Sequence, residues 1–258
     1  MAIVSEIIQY SAGDATMHGY FAYDDATTGP LPGVLIAHTW AGRESSMEEK
    51  AQKLAGQGYA AFALDVYGEG KTGANPAESD KLMQPFLKDR GLLRERLLAG
   101  LSACADHERV NEKKIAAIGY CFGGLSVLDI ARSGADVLGV VSFHGLLIPA
   151  SEIDNAETIN AKVLVLHGHD DPMVPVAQVT AFQTEMTEKK ADWQVHSYPV
   201  TNLASRLCDE AEGGQILINQ RVQANVSDLV EANELGQMTL KGFSNPMRVF
   251  NVTSLRDS

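Results

Sequence analysis

The residues with the clearest chemical potential are Gly119-Tyr120-Cys121-Phe122-Gly123-Gly124, which follow the apolar run Ile115-Ala-Ala-Ile118 and open a helix predicted over 122–132. A nucleophilic side chain therefore stands in a strand-to-helix turn flanked by glycines. Glycine is needed on either side because a side chain in so sharp a turn would strike the adjoining strand or helix. The helix start has two effects at Cys121: its field favours the thiolate, and the amide of Phe122 is free to donate to a developing oxyanion. The competing reading is a small buried hydrophobe in a tight turn, since thiols often fill cores. A second group, His167-Gly168-His169-Asp170-Asp171-Pro172, puts carboxylates in a loop at the end of a later strand. Asp171 is preferred as the acid that orients a base and Asp170 is the fallback, with capping of the following helix as the competing role. A third group, Ile36-Ala37-His38-Thr39-Trp40-Ala41-Gly42, offers the Trp40 N–H as a second oxyanion donor. The Trp40 indole can wall a pocket or simply pack.

These groups need a scaffold that brings strand ends together, and the hydropathy pattern supplies one. The first thirty residues alternate apolar and polar side chains around Gly13 and Gly19, which predicts a β-hairpin. Apolar runs at 33–37, 59–64, 115–118, 138–143, 162–166 and 193–198 then alternate with helical patterns at 47–57, 84–108, 122–132 and 175–189. Strands apolar on both faces, separated by amphipathic helices, indicate a doubly wound, mostly parallel α/β sheet. Ligands of such sheets sit beyond the carboxyl ends of the strands, where all three groups fall.

Composition narrows the function classes. The 258 residues are 45% hydrophobic with a net charge of −12, so disorder and a disulfide scaffold are excluded. The acidic balance opposes nucleic-acid or anionic-membrane partners, which require Lys and Arg in excess. Cys104, Cys121 and Cys208 are odd in number and lack CxxC spacing, so neither a paired framework nor a zinc site is predicted. No basic, apolar leader precedes Glu6, and no segment is apolar enough to span a bilayer. The expectation is a cytoplasmic protein, monomeric or weakly dimeric, without metal or organic cofactor.

Residues 1–199 resemble the dienelactone hydrolase family through HTWAG, ALDVYGEG, GYCFGG and HGHDDPMVP, four motifs in the family's order. The resemblance implies an α/β-hydrolase fold and a Cys-Asp-His hydrolase acting on small esters or lactones, with Thr39, Tyr67 and His144 lining the pocket. Two positions depart from it. Thr39 stands where the best-known members carry Glu, and Glu69 where they carry a substrate-binding Arg, which points to a neutral ester or lactone. The base is a further departure. The family places His shortly after a Tyr-Pro ending the last major strand, yet Tyr198-Pro199 is followed by Val200-Thr201-Asn202, and none of the seven histidines lies beyond His196. His196 keeps the chain order of a base but sits inside the strand, and His144 is an alternative by position.

Residues 200–258 follow a different grammar: a polar helix at 203–211, a Gly213-Gly214 stop, and strands at 215–218, 237–241 and 247–252. They resemble the C-terminal part of a class III adenylate/guanylate cyclase domain, an appended partial α+β segment. By that resemblance Asn202 and Arg206 correspond to residues that hold ribose and the transferring phosphoryl group. The carboxylates that would bind the two metals belong upstream of this segment, where the other fold lies. A non-catalytic fusion product and a signalling cyclase are the alternatives to the hydrolase.

Overall fold

The computed structural model describes residues 2–150, 153–198, 207, 210–211, 215–240 and 245–256. It divides into two compact units, residues 1–167 with 174–196, and residues 168–173 with 197–258.

The first unit is built on an eight-stranded sheet. β1 (Ile3–Ala12) and β2 (Ala15–Asp24) form the expected antiparallel hairpin, turning at Gly13 with φ +54°. β3 (Leu31–Ala37) pairs parallel with β4 (Ala60–Ala63) on one side and β5 (Val110–Tyr120) on the other. β6 (Gly139–Phe143) and β7 (Lys162–Gly168) extend the parallel run, and β8 (Trp193–Tyr198) forms the edge, giving the order β1-β2-β4-β3-β5-β6-β7-β8. Helices α1 (Ser45–Ala55), α2 (Pro76–Lys88), α3 (Arg90–Ala105), α4 (Phe122–Arg132) and α5 (Val176–Glu188) connect the strands.

Two-sided burial follows from the period of a strand. Val34 and Ile36 of β3 pack with Ala61 and Ala63 of β4 against Met47, Ala51 and Ala55 of α1. The intervening Leu35, Ala37, Ala60 and Phe62 face the larger core, which holds Leu93 and Leu97 of α3 and Leu125 and Leu128 of α4. Alternate side chains thus serve opposite layers, as a doubly wound sheet requires.

The single helical stretch expected over 84–108 is two helices beginning earlier. Asn75 caps α2 by accepting from the Glu78 amide at 3.1 Å, with Pro76 opening the first turn. Asp89 ends α2 and caps α3, accepting from the Leu92 amide at 2.8 Å. One extended aspartate breaks what hydropathy alone presents as continuous.

The second unit carries β9 (Leu217–Asn219), α6 (Gln220–Val226), β10 (Val230–Met238) and β11 (Met247–Leu255). The strands form an antiparallel sheet in the order β10-β11-β9 over a small core of Leu207, Leu240 and Val249. The helix expected over 203–211, with Asn202 and Arg206, falls largely outside the described residues.

A buried ionic network ties α3, α4 and α5 together. Asp129 accepts from Arg90 at 2.6 and 2.8 Å and lies 3.5 Å from Arg132, which also pairs with Glu185 at 2.7 Å and donates to the Leu147 carbonyl. Asp129→Ala is expected to destabilise the fold by about 3–5 kcal/mol in urea unfolding, because both guanidiniums lose a buried counter-charge.

Candidate active site

Cys121 occupies the turn between β5 and α4, and its backbone sits at φ +57°, ψ −114°. A non-glycine residue there is strained by about 1–3 kcal/mol and persists only where its surroundings fix it. They do so closely. The Cys121 amide donates to the Phe143 carbonyl at 2.9 Å, and its carbonyl accepts from the Gly124 amide at 3.0 Å. A Cβ on Gly119 would lie 1.9 Å from the Gly123 oxygen, and one on Gly123 would lie 2.1 Å from the Ala37 oxygen and 2.6 Å from that of His38. The glycines expected on steric grounds admit no side chain. Phe122, the first residue of α4, has an amide with no intrahelical acceptor.

The 38–42 loop abuts this turn. His38 follows β3 and is 1% exposed. Its Nε2 accepts from the Val66 amide at 3.2 Å, so Nδ1 carries the proton and donates to the Thr39 carbonyl at 2.6 Å. Burial pushes the His38 pKa below the ordinary histidine value, reinforced by Arg43 and opposed by the Thr39 hydrogen bond and Asp65. The ring is neutral and engaged with backbone at both nitrogens. Thr39 and Trp40 are half-buried, the Thr39 hydroxyl accepts from the Ala41 amide at 3.3 Å, and Trp40 packs against the main core.

Tyr67 closes the site from the β4 side. Its hydroxyl donates to the Trp40 carbonyl at 2.7 Å, and its ring stacks on Phe122 and Phe86 and meets His38 edge-on at 4.7 Å. Burial, with the nearby Cys121 charge, pushes its phenol pKa well up, so it stays a donor. The loop carrying it is held by Asp65, a residue sequence reasoning passed over. The fully buried Asp65 carboxylate accepts from the amides of His18, Tyr67, Gly68 and Gly70 at 2.8–3.0 Å. The available signal was a carboxylate inside the apolar run Ala63-Leu-Asp-Val66. Glu69 is exposed and paired with Lys71 at 2.8 Å, which holds its carboxyl below the usual range.

The remaining candidates stand at other strands. β7 runs parallel to β6, and Asp170 and Asp171 follow it in the chain. Asp170 is exposed; Asp171 is half-buried and accepts from the Met173 amide at 2.9 Å. Neither caps α5, whose N-cap is Pro175. His144 has φ +42° and follows Phe143, the residue bonded to the Cys121 amide, on the strand next to β5. His196 is exposed on β8, with Nε2 3.2 Å from Gln194 Oε1, three strands from β5 and therefore about 14 Å away laterally. Among the described residues, no cluster of His, Cys, Asp and Glu could hold a metal ion, and no helix is long and apolar enough to cross a membrane.

Residues 17–204 match the model of the dienelactone hydrolase family. A solved dienelactone hydrolase-like promiscuous phosphotriesterase from metagenomic libraries is similar at 36% identity and a TM-score of 0.73, over 77% of this chain and 82% of that one. A Bradyrhizobium protein named "Probable 2-oxo-3-(5-oxofuran-2-ylidene)propanoate lactonase" is 26% identical over 66% of this chain and 72% of its own length. The dienelactone hydrolase of Anabaena variabilis shares the fold, with 20% identity and a TM-score of 0.57 over 81% of this chain and 97% of its own.

Two measurements check this geometry. Cys121→Gly is expected to be about 1 kcal/mol more stable than Cys121→Ala, reversing the usual order, because only glycine relieves the strained turn; equal urea midpoints would refute the strain. For His38, the unfolded chain takes up a proton as pH falls through about 6.5, whereas the folded state does so only at lower pH. Stability should therefore fall from about pH 6.5 downward until the folded pKa is passed, and His38→Gln should flatten that part of the profile.

Proposed function

The chain belongs to the dienelactone hydrolase family, and we propose that it cleaves a small neutral ester or lactone through a thioester on Cys121. The family, with the lactonase name of its Bradyrhizobium relative, makes it a hydrolase of carboxylic ester or lactone bonds. The observation that carries the nucleophile assignment is the strained Cys121 backbone at the start of α4, a conformation a core-filling cysteine has no reason to adopt.

In this reading the Cys121 sulfur bonds to the carbonyl carbon as its proton passes to a base. The tetrahedral oxyanion accepts from the amides of Phe122 and Trp40. Collapse breaks the C–O bond, the leaving oxygen takes the proton, and water later hydrolyses the thioester. Asp171 is the orienting acid. His196 is the base by chain order, but from β8 it must approach to act, so deacylation is the slow half. His144, one strand from Cys121, is the alternative base. Glu69, ion-paired where an anion-binding arginine would be needed, favours an uncharged substrate.

For residues 200–258 we propose the cyclase-fragment reading without activity, because by that resemblance the metal-binding carboxylates come from upstream of the segment, where the other fold lies. Cyclic nucleotide formation with Mg²⁺ or Mn²⁺ would overturn it.

With p-nitrophenyl acetate, the chain is expected to release a burst approaching one nitrophenolate per protein, followed by a steady rate at least tenfold slower. The acetyl group should be found on Cys121 by peptide mass spectrometry, and Cys121→Ala should abolish the burst. A folded protein that acquires no acetyl group at Cys121 defeats the proposal.

A further inference from the structure

We infer that His38 and Tyr67 are positioning residues that fix the Trp40 amide as an oxyanion donor, by clamping the two peptide groups on either side of Trp40. This rests on the acyl-transfer reading of Cys121 and adds a role for two residues that touch no reacting atom.

A trans peptide is planar, so its N–H points opposite to its C=O. The Trp40 N–H belongs to the peptide whose carbonyl is that of Thr39. That oxygen accepts from His38 Nδ1 at 2.6 Å and from the Gly42 amide at 3.2 Å, on the side away from the Trp40 hydrogen. The next peptide is held at both ends: the Trp40 carbonyl accepts from the Tyr67 hydroxyl at 2.7 Å, and the Ala41 amide donates to the Thr39 hydroxyl at 3.3 Å. With both neighbouring planes fixed, the Trp40 amide has one direction available.

The clamp is itself held. His38 receives the Val66 amide at Nε2, which leaves Nδ1 as the proton-bearing atom. The two rings meet edge-on at 4.7 Å, and Tyr67 also stacks on Phe122, whose amide is the other donor. The His38 carbonyl lies 2.6 Å from the Cβ position that Gly123 leaves empty, so the clamp reaches the Cys121 turn through backbone. Both donor arms are thereby referred to one buried unit.

Two probes of Cys121 separate positioning from packing. Acylation by p-nitrophenyl acetate develops an oxyanion, whereas alkylation by iodoacetamide displaces iodide at a saturated carbon and develops none. In the full chain, His38→Asn keeps a donor at the Nδ1 position, whereas His38→Gln keeps only an acceptor for Val66. Acylation should fall about tenfold or more in His38→Gln and Tyr67→Phe and stay within about threefold of the parent in His38→Asn. Alkylation should be unchanged in all three, with urea midpoints recorded so that rates are compared on folded protein. Acylation unaffected in both His38→Gln and Tyr67→Phe, or acylation and alkylation falling together, overturns the clamp while leaving the nucleophile intact. A parent protein alkylated but never acylated at Cys121 overturns the acyl-transfer reading and the clamp with it.

Discussion

The site depends on one backbone constraint, the turn that carries Cys121 at φ +57°, ψ −114°. No local preference selects that conformation, so non-local packing must impose it. The packing comes from α4, whose eleven residues are all buried, and from approaches to Ala37, His38 and Gly145 that leave no room for a Cβ at Gly123 or Gly124. Burial of Leu125, Val127, Leu128 and Ile130, at about 1.5–3 kcal/mol each, exceeds the strain several-fold. With Cys121 as the proposed nucleophile, activity and stability oppose each other at one residue, and the core decides the balance.

The polar groups buried behind α4 serve orientation more than net stability. Asp129 and Arg132 sit at its far end, where apolar side chains of similar volume would fill space equally well. What the ion pairs add is direction: two Arg90 nitrogens donating to Asp129 Oδ2 and the bidentate Arg132–Glu185 pair admit one rotation of α4 relative to α3 and α5. That rotation sets where the Phe122 amide points.

Much of this was legible in the residues because local pattern and tertiary role agree. The runs at 33–37 and 59–64 are apolar on both faces, and the glycines around Cys121 are required by any sharp turn from strand to helix. Legibility failed where a polar side chain serves backbone far away in sequence. Nothing local marks the role of His38, whose Nε2 partner lies 28 positions on, or of Asp65, which satisfies an amide 47 positions back. Hydropathy also merged α2 and α3, since a helix-breaking cap at Asp89 is one polar residue among many. The Asp171 carboxylate accepts from the Met173 amide within its own loop and does not cap α5, the competing role its position offered.

The two half-reactions of the proposed mechanism make unequal demands on this scaffold. In that mechanism thiol attack is helped by the start of α4, the Phe122 amide and the Trp40 amide in the loop after β3, so acylation draws on groups held next to the sheet. Thioester hydrolysis needs a base to activate water, and the strand order decides which histidine can serve. His38 has both nitrogens committed to backbone, and His107 is stacked on Phe21 at 3.9 Å with Nε2 3.4 Å from Glu6. His18 lies beside Gln9 on the hairpin, and His196 lies three strands from the nucleophile. In the proposed mechanism the base by chain order stands on β8 and His144, one strand from Cys121, is the alternative, so the acyl-enzyme is expected to form faster than it is discharged.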